Sequence, residues 1–200
     1  MIVLDIPQGS LEWLSARAGI PSSSNFDKIV TTTGAPSKQA EKYLLSLAVE
    51  RVTGKAEESY KNANMERGNE MESEARNFYE LTEGVDVKQV GLCFPDERKL
   101  YACSPDGLVG EDGLLEIKCP ISSTAASYLL GSESLEMAYL QQCQGQMLVT
   151  GRKWVDLLSY FPGLRPAMVR IERDKEFLFK LETELMLFVD RLKQVTEKIR

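Results

Sequence analysis

Between Asp174 and Arg200, apolar side chains recur at 177, 181, 185, 188, 192, 195 and 199. Steps of four and three put all seven on one stripe of a 3.6-residue helix, so the pattern predicts a long amphipathic helix over 174–199. A second stripe, at 40, 43, 44, 47, 48 and 52, predicts a helix over 37–53 with Ser37 as its N-cap and Gly54 as its stop. Further helices are expected over 65–84, ended by Gly84, and over SLEMAYLQQCQGQMLVTG, closed by Gly151. Residues 15–30, broken by Ser and Pro, read as a loop leading into a short helix. Residues 85–119 read as strands with turns, the clearest turn being GEDG at 110–113, and KWVDLLSYF and AMVRIER add two more strands. Helices, then strands, then helix, strand, strand, helix predict an α/β fold with a central mixed sheet flanked by helices. No repeat, low-complexity tract or linker divides the chain, so a single domain over 1–200 is expected.

Composition narrows the chemistry. With 43% apolar and 27% charged residues, a 200-residue chain can build a sizeable core. No apolar run approaches the ~18 residues of a membrane span. The start, MIVLDIPQGS, has neither the basic region nor the long apolar run of a signal peptide, so a cytoplasmic protein is expected. Cys93, Cys103, Cys119 and Cys143 form no C-x-x-C pair, which favours reduced, structural thiols over a zinc knuckle. There is no histidine at all. Ser-His-Asp and Cys-His triads and His-ligated metals are thereby excluded, and any hydrolysis must run on carboxylates, lysine and hard metal ions. The net charge of −6 is awkward for a partner of nucleic acid, but the distribution of Lys and Arg matters more than their sum.

The chemistry concentrates in SPDGLVGEDGLLEIKC (104–119). On the second strand Glu116 and Lys118 point one way, while Leu115, Ile117 and Cys119 point the other, into the core. Asp106, preceded by Pro105, opens the first strand, and the GEDG hairpin brings it towards Glu116 and Lys118. Most Glu-x-Lys pairs on strands are solvated surface charges. Here the pair interrupts an apolar stretch, and a third carboxylate is at hand. Met65, Gly68, Glu72, Ala75 and Tyr79 share the apolar stripe of the 65–84 helix, while Glu66, Glu70 and Glu74 take its polar face. A glutamate on a buried stripe needs something positive to meet it, and a divalent cation is a good candidate. Mg²⁺ and Mn²⁺ favour oxygen ligands and keep waters and phosphate in their shells. Asp106 and Glu116, joined by the backbone carbonyl of Ile117, could hold such an ion, with Lys118 orienting a water for attack on a phosphodiester.

Asp followed by Glu-x-Lys on the next strand resembles the catalytic signature of the restriction-endonuclease-like nucleases. More of the chain is similar to one branch of that group, the phage lambda exonuclease family. The likeness lies in ACSPDGLV and LLEIKCP, WLSARAGIPSSS, RGNEMESEARNFYELTEGVDV and AYLQQCQGQM, and extends from Trp13 to the C-terminal helix. The resemblance implies a restriction-endonuclease-like core. It also implies a Mg²⁺-dependent enzyme, for which Mn²⁺ can substitute, that digests one strand of duplex DNA from a 5′ end and releases 5′-phosphomononucleotides. The implied product is a 3′ overhang for recombination by strand annealing. The implied partners are double-stranded DNA ends, two further copies in a ring-shaped homotrimer, and a single-strand annealing protein of a phage or prophage system in a bacterial cytoplasm.

Residue by residue, the resemblance makes Asp106 and Glu116 metal ligands, Lys118 the water-orienting base and Glu72 the helix glutamate. It places the 5′-phosphate on Arg17, Ser24, Ser104 and Gln142, with Ser22 or Ser23 in place of Ser24, and Gln144 in place of Gln142, as open alternatives. It makes Met65 the wedge at the DNA fork, where a core methionine is the plainer reading. Residues 30–37 lack basic character, so Lys28 and Lys38 are candidates for the DNA track. Two rival readings are a helicase-linked nuclease with a four-cysteine iron–sulfur cluster and a DNA-end-binding relative without catalysis.

Overall fold

The computed structural model describes residues 1–56, 63–131 and 133–200, with side chains of all of these except 63–70. Five strands form a mixed sheet in the order β2 (Val87–Lys88), β4 (Gly107–Val109), β5 (Gly113–Lys118), β6 (Trp154–Ser159) and β7 (Ala167–Glu172). All neighbours are antiparallel except β5 and β6, which run parallel with Glu116 beside Leu157 and Lys118 beside Ser159. A parallel pair needs a crossover, and two helices supply it: α4 (Ser122–Leu130) and α5 (Leu135–Thr150). A separate two-stranded sheet pairs β1 (Ile2–Leu4) with β3 (Leu92–Phe94).

The two strongest periodic stripes do what their patterns predict. Helices α2 (Ala40–Thr53) and α6 (Lys175–Ile199) pack on one another and bury Leu44, Leu47, Leu181, Leu185 and Leu192 against one face of the sheet. Helix α3 (Ala63–Glu83) covers the other face, where Ala75 and Tyr79 meet Leu115, Ile117 and Leu158. Helices α2, α3 and α5 are each followed by a glycine with positive φ (Gly54, Gly84 and Gly151), a conformation that non-glycine residues adopt only with strain.

The differences from the sequence pattern have local causes. Ser37 is not the N-cap of α2; its Oγ accepts from Gln39 N–H in a turn before the helix. A short helix α1 (Leu11–Arg17), capped by Ser10, takes up part of the expected loop, and Ser23–Lys28 form a 3₁₀ segment. Strand β1 and helix α4 were not signalled at all, since three residues and SSTAASYLL carry too little periodicity. Most consequential, Glu116 does not face away from the core. β5 is buried on both faces, and the face bearing Leu114 and Glu116 looks into the larger apolar cluster beneath α5.

Two polar anchors brace this frame. Arg152 donates from one Nη1 to the carbonyls of Val109, Gly110 and Gly113, clamping the β4–β5 turn. On the α3 face, buried Asp156 accepts from Tyr79 Oη at 2.6 Å and from Arg170 Nε and Nη2, both at 2.7 Å. Arg170 sits directly opposite Asp156 on β7 and stacks 3.8 Å from the Trp154 ring. Asp156→Ala removes the carboxylate that ties α3 and β7 to β6. Breaking a buried ion pair costs about 3–5 kcal/mol, and the lower end is expected here because Arg170 is half exposed. Urea unfolding measures it; a loss below about 1 kcal/mol, the worth of a surface pair, would show the network to be idle.

Candidate active site

The β4–β5 hairpin brings the acidic residues together as its sequence suggested. Asp106 ends the loop before β4, and its Oδ2 accepts the Ile117 N–H at 2.6 Å. It thus takes the place of a backbone partner just where β4 begins. Gln8 fixes the approach, donating from Nε2 to the carbonyls of Val90 and Pro105, both at 3.0 Å. Glu116, 3% exposed, meets three donors. Lys118 Nζ at 2.6 Å and Gln142 Nε2 at 2.5 Å both reach Oε1, and Gln146 Nε2 reaches Oε2 at 2.5 Å. Lys118 also lies 4.8 Å from the Tyr139 ring. Helix α5 is kinked at Tyr139 (φ −129°, ψ 16°), so Leu135, Ala138, Tyr139 and Gln142, whose spacing would align them on a straight helix, do not form one continuous face; Ala138 is exposed.

Glu72 is half-buried on α3, above Ala75 and Tyr79 as its spacing required, but the positive group that meets it is Arg76, one turn on. With its amide turned to face Arg76, Gln89 accepts from the same guanidinium at 2.9 and 3.0 Å. The side chain of Met65 lies outside the described residues, as do those of Gly68's neighbours Glu66 and Glu70.

The electrostatics of this cluster are those of crowded carboxylates. Burial, then Glu116 and Glu72, push the Asp106 carboxyl well above its usual range. Burial likewise raises Glu72, against the pull of Arg76. Burial works against the charge of Lys118, but Glu116 and Asp106 overcome it and hold the ammonium more firmly than usual. A hard dication fits such a set, because oxygen donors that repel one another at close range gain most from it. Among the described residues no three acidic or cysteine side chains stand as a ready-made cage. The donors on offer are therefore Asp106, Glu116 and backbone oxygen, a set of the sparse kind Mg²⁺ accepts when waters and phosphate complete its shell.

A second cluster is built on α1 and the 3₁₀ segment. Arg17 Nη2 donates to Ser22 Oγ at 2.7 Å and Ser24 Oγ at 3.1 Å, and its guanidinium lies 4.9 Å from the Trp13 ring. Trp13 Nε1 in turn donates to Ser104 Oγ at 3.0 Å, linking the arginine to the residue two before Asp106. Ser22 and Ser24 therefore both face Arg17, whereas Ser23 is buried against α5. There Gly145 permits the approach: a Cβ at 145 would come within 2.4 Å of Phe26 and 3.2 Å of Ser23. A cleft of about 230 Å³ continues from Arg17 past Asn25, Lys28, Tyr43 and Ser46. Of the two track candidates, Lys28 lines this cleft, 5.3 Å from the Tyr43 ring, and Lys38 is exposed.

Of the expected phosphate group, Arg17, Ser24 and Ser104 are joined through direct contacts or Trp13, while Gln142 sits on Glu116. Gln144 is engaged elsewhere: its Nε2 donates to the Glu172 carbonyl and its Oε1 accepts from Asp174 N–H. Sequence reading missed Gln146, Arg76 and the role of Trp13. Gln146 alone left a signal, as a polar residue one turn from Gln142 on a helix that must be buried.

The cysteines do not gather. The four are thiols rather than disulfides; Cys93 and Cys103 face each other across a two-strand bridge, and Cys143 lies within α5. With no three cysteine or acidic side chains grouped among the described residues, nothing here builds a four-cysteine cluster.

The family model for the YqaJ-like viral recombinase domain matches residues 12–153, which contain every residue placed above in the two clusters except Gln8. The chain belongs to the YqaJ-like viral recombinase family. Among solved structures, the alkaline exonuclease LHK-Exo of Laribacter hongkongensis is 34% identical, with a TM-score of 0.85 over 95% of this chain and 96% of its own. Its complex with dAMP gives 0.84 at the same identity and coverage. A phage-related exonuclease from Haemophilus somnus 129PT, 16% identical, shares the fold with a TM-score of 0.73 over 90% of this chain and 96% of its own. No curated protein matches the sequence. The fold is thus restriction-endonuclease-like, and membership of this recombinase family supports a nuclease acting on DNA. No helix among the described residues is long and apolar enough to cross a membrane.

Tyr43 offers a test of the loop that carries the serines, because its Oη accepts the Ser22 N–H at 3.3 Å. Burial pushes its phenol from 10.0 up to about 12. A folded-state pKa above the unfolded one favours the neutral form, so this contribution is whole below pH 10 and is lost as pH rises towards 12. Tyr43→Phe should flatten the fall in stability over that window; an unchanged alkaline slope in urea melts would show that Tyr43 does not titrate with folding.

Proposed function

We propose that the protein is a Mg²⁺-dependent 5′-to-3′ exodeoxyribonuclease that digests one strand of linear duplex DNA and leaves a 3′ overhang for strand annealing. The observation that carries this reading is the meeting of Asp106, Glu116 and Lys118 at the end of one hairpin, with an arginine–serine cluster joined to it through Trp13 and Ser104. Membership of the viral recombinase family and the likeness to LHK-Exo support it.

Asp106, Glu116 and the Ile117 carbonyl would hold the cation. When bound, that ion supplies charge neutralisation at the scissile phosphate and acidifies a water. Lys118 stands beside both carboxylates and orients the attacking water. Glu116 and Asp106 hold its proton firmly, so orientation and charge stabilisation are the roles the free site is set for, and service as a base requires that proton to leave first. Glu72, restrained by Arg76, completes the acidic rim. Arg17, placed over the Trp13 ring, presents the fork that suits a terminal phosphate, and Ser22, Ser24 and Ser104 can donate to its remaining oxygens. Gln142 gives one amide hydrogen to Glu116, which leaves its second for that phosphate. Digestion along a duplex without release implies that it is encircled, which one 200-residue chain cannot do. Three copies in a ring are the assembly we infer, with a single-strand annealing protein as partner in a bacterial cytoplasm.

A gel assay on linear duplex with and without Mg²⁺ tests the core of this reading, and digestion from 3′ ends would overturn the direction. Lys118→Ala should keep metal and DNA binding while cleavage falls by roughly 10²–10⁴-fold. Equal cleavage by variant and wild type would remove the lysine from the mechanism. Arg17→Ala should abolish the preference for 5′-phosphate over 5′-hydroxyl ends and slow initiation about ten- to a hundredfold, the worth of a charge-assisted contact. Matched duplexes differing only in that phosphate give the answer, and a preference retained by the variant would show the pocket to be misplaced.

A further inference from the structure

Gln146 is fully buried in α5, one turn beyond Gln142, and gives its amide Nε2 to Glu116 Oε2. Its own Oε1 is buried without a hydrogen-bond partner among the described residues. A half-satisfied amide inside a protein is a cost that an apolar side chain of the same length would avoid. The orphaned oxygen has no structural use among the described residues, so what this amide does it does through its one partner, Glu116.

The surroundings hold this side chain in place. Gln144 binds the β7–α6 junction through both ends of its amide, Gly145 packs against Phe26, and the Gln146 carbonyl accepts Thr150 Oγ1 at 2.8 Å. The helix that carries Gln146 is thus fastened on several sides.

The two oxygens of Glu116 are served differently. Oε1 takes Lys118 and Gln142, which between them occupy both of its lone pairs. Oε2 takes Gln146 alone among the described residues. Lys118 and Gln142 are only partly buried and can turn towards substrate, whereas Gln146 has no such freedom.

We propose that Gln146 is a positioning residue that fixes the Glu116 carboxylate through Oε2, keeping the plane of the ligand constant while Lys118 and Gln142 exchange their contacts on Oε1. The role rests on the reading of Asp106 and Glu116 as cation ligands. It acts through Glu116 and touches no reacting atom.

Gln146→Met keeps the length of the side chain and removes both the donor and the orphaned oxygen. The test is calorimetric titration of Mn²⁺ into the DNA-free protein, alongside thermal melting. The dissociation constant for Mn²⁺ should rise by about 10- to 100-fold, the usual effect of losing a residue that orients a metal ligand. The melting temperature should fall by a few degrees at most, the effect of one donor lost from a buried carboxylate that keeps two others. Gln146→Leu serves as a second variant and should behave alike. Unchanged Mn²⁺ affinity in a folded variant overturns the positioning role alone, and failure of both variants to fold overturns it by showing the amide to be structural. A wild type that takes up no Mn²⁺ overturns the cation reading, and the role of Gln146 with it.

Discussion

A carboxylate buried in a strand that is covered on both faces must find all its partners inside the protein, and Glu116 sets that requirement. β5 cannot satisfy it alone, because its other side chains on that face are Leu114 and Lys118. The amides come from α5, which the crossover between the parallel strands β5 and β6 lays over this face. The same helix carries Gly145, where the 3₁₀ segment bearing the serines packs. Satisfying one buried charge thus fixes the helix that also positions the arginine–serine cluster, and the two halves of the site share a single frame.

The opposite face of the sheet solves a similar problem in another way. Asp156 is as buried as Glu116, but its partners are a tyrosine from α3 and a bidentate arginine from β7. In this network Oδ2 takes two donors and Oδ1 one, and two of the three come from a single guanidinium. Tyr79 lies two turns along α3 from Glu72, so the anchor also holds the helix glutamate at the margin of the hairpin. One buried carboxylate is locked by charge and stabilises the fold; the other is held mainly by neutral amides and one lysine, and remains able to change partners.

Legibility in the sequence followed the strength of pattern. α6 and α2 were plain because their stripes face a single core, and the Asp106–Glu116–Lys118 hairpin was plain because charges inside an apolar stretch stand out. α5 was legible as a helix but not in its faces, since its C-terminal half is buried nearly all round and its kink at Tyr139 shifts the register. Gln146 was therefore hidden among four glutamines of which each does something different. Arg76 could not be recognised because an arginine after a glutamate on a helix is ordinarily a solvated pair, and only the fold shows this guanidinium closed in by Gln89. The orientation of Glu116 was misjudged for a related reason: alternation names two faces but cannot say that both are interior.

The chain has two tryptophans, Trp13 and Trp154, and each lies beneath an arginine. Trp154 belongs to the closed Asp156 network and has no reason to change its surroundings. Trp13 touches Arg17 with its ring and Ser104 with its Nε1, so it reads both sides of the proposed phosphate pocket. The emission of this one indole is consequently a native optical gauge of whether that pocket is filled, and replacing Trp154 with phenylalanine would leave its signal on a dark background.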